Sequence, residues 1–184
     1  MAKVIIEPLG PHHDRATFDC GKPRVTNFIR FTAKRQVAED LAVVRVAVAE
    51  GSAKVLGYHS LSAHSLLVDD LPADLMPKSR PYPGLGAFYL GFLGVDQSMQ
   101  GKGIGGLLLR DAMAQTIRAS EYGGIAFLVL DAIDEAAAPF YGQFGFTALP
   151  SQPLRLVLPA SVIRQAIMEI SDQQNDIRCN TIAT

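Results

Sequence analysis

The sequence contains few of the residues that build disulfide frameworks or metal centres. It has two cysteines, Cys20 and Cys179, which lie far apart in a chain of 184 residues. Two distant cysteines are too few for a disulfide scaffold or a thiolate metal site, so we expect no metal and a reducing compartment. The four histidines, at positions 12, 13, 59 and 64, do not show the i, i+4 spacing of a helical ligand pair.

Long apolar runs and a strong charge of one sign are also missing. No run approaches the roughly 20 residues that span a bilayer, and the first residues have no apolar core typical of a signal peptide. We therefore expect a cytoplasmic protein without membrane contact. The net charge of −1 argues against a globally basic nucleic-acid binder. The hydrophobic content of 48% is enough for one core, which we place in a domain at residues 1–170, followed by a polar tail at 171–184.

One short segment is nevertheless basic. Five cations fall within the fourteen residues from 22 to 35: Lys22, Arg24, Arg30, Lys34 and Arg35. Such a cluster is usually the solvated face of a helix, but it also presents positive potential to a polyanion. Three of these residues, Arg30, Lys34 and Arg35, are our candidates for contact with a nucleic acid.

Glycine is concentrated between an apolar run at 88–95 and an amphipathic run at 107–119. The residues of this glycine-rich loop are Gln100, Gly101, Lys102, Gly103, Ile104, Gly105 and Gly106. Glycines leave backbone N–H groups accessible, and the positive end of a following helix dipole favours an anion. The loop therefore predicts a pyrophosphate site.

Two patterns overlap in this loop. Gly101, Gly103 and Gly106 fit the dinucleotide pattern G-x-G-x-x-G, but after the strand that ends at Asp131 too little chain remains to complete that sheet. A Walker A loop also fails, because Gly103 follows Lys102 where Ser or Thr is required. An ordinary turn without a ligand would not need four glycines in six residues, which lose much backbone entropy on folding.

A second motif lies about forty residues later. Residues 137–146 predict a short helix that begins near Asp134, ends at Gly145 and carries Tyr141. A tyrosine beside a phenylalanine on a helix is usually core packing. Its place after a strand that follows a phosphate loop makes Tyr141 a candidate catalytic residue.

The remaining pattern predicts one mixed α/β domain. Apolar runs at 41–50 and 54–65, split by a Gly-Ser pair, predict a β-hairpin, and further strands are predicted at 3–7, 88–95, 125–131 and 154–158. Helices are predicted at 25–38, 107–119, 135–144 and 159–169. The proline-rich segment 68–86 predicts a long connection with a short helix at 73–78. We expect a largely antiparallel sheet with one parallel crossover at the glycine-rich loop, flanked by helices.

The motifs and their order resemble the GNAT superfamily of N-acetyltransferases. Gln100, Gly103 and Gly105 match its coenzyme A signature, Gln/Arg-x-x-Gly-x-Gly/Ala, and the helix with Tyr141 follows in the expected place. Within the superfamily the chain is most similar to toxins of toxin-antitoxin pairs. The segments that carry this likeness are FDCG at 18–21, GYHSLS at 57–62, RPYP at 80–83 and YLGFLGVD at 89–96. Phe92 stands where those toxins usually have arginine.

The resemblance implies a function and a set of roles. Acetyl-CoA would be the co-substrate, with its pantetheine on Leu93, Gly94 and Val95, its pyrophosphate on residues 100–106 of the glycine-rich loop, and its thiolate protonated by Tyr141. The implied substrate is the α-amino group of aminoacyl-tRNA, whose acetylation blocks translation. The implied partner is a ribbon-helix-helix antitoxin. A homodimer is one possible assembly, and the sequence does not fix the oligomeric state.

The residues themselves bear on the substrate. We identify no His or Glu as a general base, which favours an amine of low pKa. An α-amine with a pKa of about 7.7–8.0 is partly neutral at pH 7, whereas a lysine with a pKa of about 10.4 is not. Two alternatives remain: acetylation of a small-molecule amine or a protein amino group, and a non-catalytic acyl-CoA-binding module.

Overall fold

The computed structural model describes residues 3–79 and 83–168, with a seven-stranded sheet at the centre of the molecule. The predicted tail at 171–184 lies outside these residues. The strands are β1 (Val4–Pro8), β2 (Val43–Ala49), β3 (Val55–Leu67), β4 (Gly84–Val95), β5 (Ile125–Asp131), β6 (Thr147–Leu149) and β7 (Gln152–Pro159). Their order across the sheet is β1-β2-β3-β4-β5-β7-β6.

Helices cover both faces of the sheet. They are α1 (Pro23–Asn27), α2 (Ala33–Ala38), α3 (Ile104–Ser120), α4 (Ala138–Gly142) and α5 (160–168), with a π-helical turn (Phe28–Thr32) joining α1 to α2. Short 3₁₀ turns occupy Val68–Asp70, Ala73–Leu75 and Gln97–Met99. No helix of the described segments has the length and apolar character of a membrane span.

The predicted mixed fold is confirmed. Neighbouring strands are antiparallel except β4 and β5, which run parallel and are connected through α3. On one face, Leu108, Leu109 and Ala112 recur at helical spacing along α3 and are buried. Leu109 and Ala112 pack in one cluster with Leu90 of β4 and Leu128 of β5.

The opposite face is covered by the α1–α2 segment. Phe28 and Ile29 pack there with Val46 of β2 and Tyr58 of β3 in a second cluster. The buried Tyr58 hydroxyl donates a hydrogen bond to the Val25 carbonyl over 2.6 Å, which satisfies its one polar group. The sheet thus separates α3 and α4 from α1 and α2.

The two parallel strands, β4 and β5, pair over only part of their length, and this leaves an opening in the sheet. Pairing of β4 with β5 begins at Gly86 opposite Ile125 and ends at Leu90 opposite Leu130. Beyond Leu90, β4 continues to Val95 with β3 as its partner on the other side. One edge of the last five residues of β4 is therefore left without a strand, and the sheet forks.

The structure corrects several predicted boundaries. β4 begins at Gly84, inside the predicted connection, and a Cβ on Gly86 would lie 2.2 Å from the Gly124 carbonyl oxygen, so a glycine is needed for this close approach. The predicted helix at 73–78 is a 3₁₀ turn of three residues. The helix predicted at 135–144 is regular only over α4. Strand β6 was not predicted at all, because three residues are too few for a pattern.

Candidate active site

The glycine-rich loop presents a row of free backbone N–H groups at the start of α3. Gly101 and Gly103 have φ of 74° and 81°, a left-handed conformation that side chains disfavour, and Gly103 is the N-cap of α3. No side chain caps this helix, and the first N–H with a helical acceptor is that of Leu107, which donates to the Gly103 carbonyl over 3.2 Å. The N–H groups of residues 103–106 are thus available to an anion.

Hydrogen bonds fix the loop to a neighbouring turn. Asp96 accepts from the N–H groups of Ser98 and Asp19 over 3.1 and 3.0 Å. Burial raises the Asp96 pKa, but these bonds and the Ser98 hydroxyl outweigh it, so its pKa lies below the ordinary value. The Gln100 amide donates to the carbonyls of Cys20 and Val95 at 3.0 Å each. Gln100 therefore holds the loop in place rather than reaching outward.

The other loop residues have distinct environments. Lys102 folds back, and its Nζ donates to the Ser98 carbonyl over 2.9 Å. A Cβ on Gly105 would lie 3.6 Å from the Phe140 ring, and one on Gly106 equally far from the Phe144 ring. The first turn of α3 therefore lies directly against α4, which carries Tyr141.

A cleft of about 420 Å³ opens at the fork between β4 and β5. Leu93, Gly94 and Val95 of the unpaired β4 edge line it, together with Gln100 and Tyr141. Gly94 fits closely against α1 here, because a Cβ would lie 2.7 Å from the Val25 side chain, which would have to shift. The cleft thus brings the predicted pantetheine edge, the loop and the predicted catalytic residue together.

Tyr141 lies half-buried in an aromatic cluster. Its ring makes edge-on contacts with Phe140 and Phe146 at centroid distances of 5.1 and 5.9 Å. Burial raises the pKa of its hydroxyl, which therefore stays protonated at neutral pH. No described residue forms a hydrogen bond with this hydroxyl, so it is free to act on a bound molecule. Asp134 accepts from the Ala137 N–H over 2.8 Å and begins the turn that leads to α4, as predicted.

Comparison with known proteins identifies the family. A model described as an acetyltransferase (GNAT) domain matches residues 37–148. The probable toxin TacT of Sinorhizobium fredii is 38% identical over 174 residues, which cover 89% of this chain and 94% of TacT. The chain belongs to the GNAT acetyltransferase family.

Two structures of the toxin AtaT are similar to this acetyltransferase over nearly their whole length. One is AtaT complexed with acetyl-methionyl-tRNAfMet, at 28% identity and a TM-score of 0.83 over 90% of this chain and 99% of that chain. The other is a Tyr-to-Phe mutant of AtaT bound to the C-terminus of the antitoxin AtaR and to acetyl-CoA, at 26% identity and a TM-score of 0.76 over 90% and 99% of the two chains.

The acetyltransferase cleft has a polar group that sequence reasoning missed. Tyr89 of β4 donates its hydroxyl hydrogen to Asp131 at the end of β5, over 2.9 Å. Arg155 of β7 binds the same carboxylate with two hydrogen bonds of 2.7 and 2.9 Å. In the sequence, Asp131 stands out only as a possible dinucleotide-binding acid. Tyr89 is 42 positions from Asp131, and Asp131 is 24 positions from Arg155. Only the pairing of β5 with β7, which places Asp131 opposite Arg155, could have predicted one of these contacts.

The basic segment is not one continuous surface in this acetyltransferase. Arg30 points inward, and its Nε donates to the Phe18 carbonyl over 2.8 Å. Lys34 and Arg35 are exposed on α2. The guanidinium of Arg24 lies over the Phe92 ring, 5.7 Å from the ring centroid, and lines the cleft. A guanidinium is therefore present next to position 92, where similar toxins usually have arginine.

One group of potential metal ligands occurs among the described residues, at Glu7, His12 and His13. The Gly10 N–H donates to His13 Nδ1 over 2.9 Å, so His13 Nε2 carries the hydrogen and donates to Glu7 over 2.8 Å. These bonds from His13 and His12 lower the pKa of Glu7. The three side chains therefore form their hydrogen bonds with one another beside β1, and none of them lines the cleft.

Proposed function

We propose that this protein is a toxin that uses acetyl-CoA to acetylate the α-amino group of aminoacyl-tRNA and thereby blocks translation. The observation that carries the proposal is the cleft at the β4–β5 fork, where an unpaired strand edge and the protonated Tyr141 meet Gln100 of the glycine-rich loop, which leads to the free N–H groups at the start of α3. The similarity to TacT and AtaT over about nine-tenths of the chain supports the same assignment.

The donor half of the cleft would hold acetyl-CoA mainly through backbone groups. The N–H groups of residues 103–106 would bind the pyrophosphate at the positive end of α3. The amides of pantetheine would pair with the unpaired edge at Leu93, Gly94 and Val95, in the manner of an added strand. Gln100 would contribute indirectly, because it holds the loop against β4.

The chemistry requires one proton to be supplied and one to be removed. The neutral amine attacks the thioester carbonyl, the C–N bond forms, and the C–S bond breaks with release of the coenzyme A thiolate. Tyr141 donates its proton to that sulfur. A phenol and a thiol have pKa values within about two units of each other, so the transfer is feasible. The proton lost from nitrogen restores the tyrosine through water.

The substrate assignment follows from the groups that line the cleft. The Asp131 pKa lies below its ordinary value, because Arg155 donates to the carboxylate and its effect, together with the Tyr89 bond, outweighs burial. A carboxylate with a low pKa is a weak base, so Asp131 is not a strong acceptor for an amine proton. An α-amine that is already partly neutral at pH 7 suits such a site better than a lysine.

We also propose the partners and the RNA surface. The exposed Lys34 and Arg35 would contact tRNA phosphates, whereas Arg30 is engaged with Phe18 and would act by holding α2 in place. A ribbon-helix-helix antitoxin is proposed as the neutralising partner, since the related AtaT binds the C-terminus of its antitoxin. A homodimer is proposed as the assembly.

The experiment is incubation with radiolabelled acetyl-CoA and total aminoacyl-tRNA, with deacylated tRNA, protein and polyamines offered in parallel. We expect label in the RNA fraction only when the tRNA is charged. Label in protein or free amines instead would establish the alternative acetyltransferase function. Binding of acetyl-CoA without any transfer would indicate a non-catalytic module. A Tyr141→Phe protein serves as the control for transfer in the cleft.

A further inference from the structure

The side chains that line the cleft divide by hydrogen-bonding chemistry. Lys22 and Arg24 on the α1 side are cations and donors only. Tyr141 carries the proton that the sulfur requires. This leaves Tyr89 and Asp131 at the fork as the side-chain acceptors that an approaching amine could use, apart from Gln100 at the loop and the weakly accepting sulfur of Cys20, which is in contact with Thr26 and the Lys22 carbonyl.

The hydroxyl of Tyr89 is directed at Asp131. Arg155 holds the Asp131 carboxylate through both oxygens, and the phenol donates to Oδ2 over 2.9 Å. Burial first, and then the bond and charge of Asp131, raise the pKa of Tyr89, so it is a phenol at neutral pH. With its hydrogen directed at Asp131, the phenolic oxygen has only lone pairs left for a ligand.

We infer that Tyr89, with its hydrogen held by Asp131, positions the substrate amine by accepting a hydrogen bond from the α-nitrogen. This inference rests on the proposed function. One N–H of a neutral amine bound to the Tyr89 oxygen leaves the nitrogen lone pair free for attack. Tyr89 is a positioning residue for the nucleophile, and Tyr141 acts on the leaving group.

Arg155 makes this site suitable for a reactive amine. An isolated carboxylate beside the nitrogen would favour the ammonium form, which cannot attack. The guanidinium of Arg155 compensates the Asp131 charge with two short bonds, so the amine meets a neutral oxygen and a paired carboxylate. The cations Lys22, whose Nζ lies 3.5 Å from Asp134, and Arg24 also line the cleft, from the α1 side, where they would fit the phosphates of a nucleotide ester.

The test measures the contribution of the substrate nitrogen to binding. Total aminoacyl-tRNA and radiolabelled acetyl-CoA first identify an acetylated tRNA. The dissociation constant of that aminoacyl-tRNA is then compared, in the presence of coenzyme A, with that of the same tRNA carrying the desamino acyl group. One hydrogen bond corresponds to a preference of roughly tenfold for the amine in the wild type.

Tyr89→Phe should reduce this preference to below about threefold while the acetyl-CoA affinity is unchanged. Asp131→Asn, which keeps an acceptor for the Tyr89 hydroxyl, should retain most of it. Tyr122→Phe, at a side chain that is 92% exposed, is the matched control and should behave as the wild type. A merely structural role of Tyr89 would weaken both ligands equally and leave the preference intact, and that result would overturn the inference.

The outcomes separate the inference from the proposed function. If aminoacyl-tRNA is acetylated but the preference survives in Tyr89→Phe, the inference is wrong and the function stands. If label enters a free amine instead, the function is wrong, and the same comparison with that amine and its desamino analogue tests Tyr89. Absence of any acetylation by the wild type overturns both.

Discussion

The two halves of the cleft are built by different means. The donor half is formed by backbone: the free N–H groups at the start of α3 and the unpaired edge of β4. The acceptor half is formed by side chains from three strands, Tyr89, Asp131 and Arg155. A backbone site does not depend on particular side chains, whereas a side-chain site can be changed one residue at a time to suit a substrate.

Tyr141→Phe should have the largest effect, because the hydroxyl is proposed to protonate the sulfur where the halves meet. We expect turnover to fall by roughly 10² to 10⁴ with the acetyl-CoA dissociation constant unchanged, since the ring and its packing are kept. Single-turnover kinetics and calorimetric titration measure the two quantities. Full activity would assign the ring to packing alone.

Asp111→Ala tests how firmly α3, which begins at the donor half, is attached to the sheet. Asp111 on α3 accepts from His59 of β3 and Arg45 of β2 over 2.7 Å each. Leaving the partly buried Arg45 unpaired should lower the unfolding free energy by about 3 kcal/mol or more, measured by urea denaturation. A loss below about 1 kcal/mol, typical of an exposed pair, would contradict this role.

The same network predicts a pH dependence. Burial raises the Asp111 pKa, but the His59 bond and the Arg45 charge outweigh it, so the folded pKa lies below the unfolded value. The stabilisation is therefore complete above the unfolded pKa of about 3.9 and is lost as pH falls through the folded value. Asp111→Asn should lose stability less steeply than the wild type below about pH 4.

Gly103→Asp breaks the donor half alone. The residue would have to adopt a φ of 81°, at about 1–3 kcal/mol, and its carboxylate would repel the pyrophosphate. Thermal shift assays should show no stabilisation by acetyl-CoA. Gly105→Ala is the control, because its Cβ would meet Phe140 at an ordinary 3.6 Å. Equal acetyl-CoA binding by a folded Gly103→Asp protein would refute the loop assignment.

Substitution of Lys34 and Arg35 by Glu should give the smallest effect, on tRNA binding outside the cleft. Contacts between exposed cations and phosphates are screened by salt, and their loss should lower the tRNA affinity. The slope of the logarithm of the tRNA binding constant against the logarithm of the salt concentration should become less steep by roughly 0.7–0.9 for each phosphate that is no longer neutralised. Arg30 is left unchanged because its bond to Phe18 supports the fold. An unchanged salt dependence would place the tRNA elsewhere.

The same contrast explains what the sequence could predict. A loop that exposes its N–H groups needs glycines close together in the sequence, so Gly101 and Gly103 form a local pattern, and α3 begins directly after Gly103. The strand at 125–131 was predicted with its observed bounds, since a buried apolar run with clear ends has few alternatives. The motif with Tyr141 was likewise contiguous.

Other features depend on interactions that no local pattern contains. Tyr89, Asp131 and Arg155 meet only because β4 lies beside β5 and β5 beside β7. The inward turn of Arg30 depends on the loop at Phe18, so a cluster of five cations in the sequence became separate groups in space. The sequence shows which residue types are present, but the direction in which each side chain points depends on tertiary packing.

The most direct test of the proposed reaction is mass spectrometry of the 3′-terminal aminoacyl-adenosine released by ribonuclease from charged tRNA after incubation with the protein and acetyl-CoA. We predict that the aminoacyl group gains the mass of one acetyl group on its α-nitrogen, and that Tyr141→Phe leaves it almost unmodified. Unmodified aminoacyl-adenosine with the wild-type protein, while acetyl-CoA is consumed on other amines, would contradict the account.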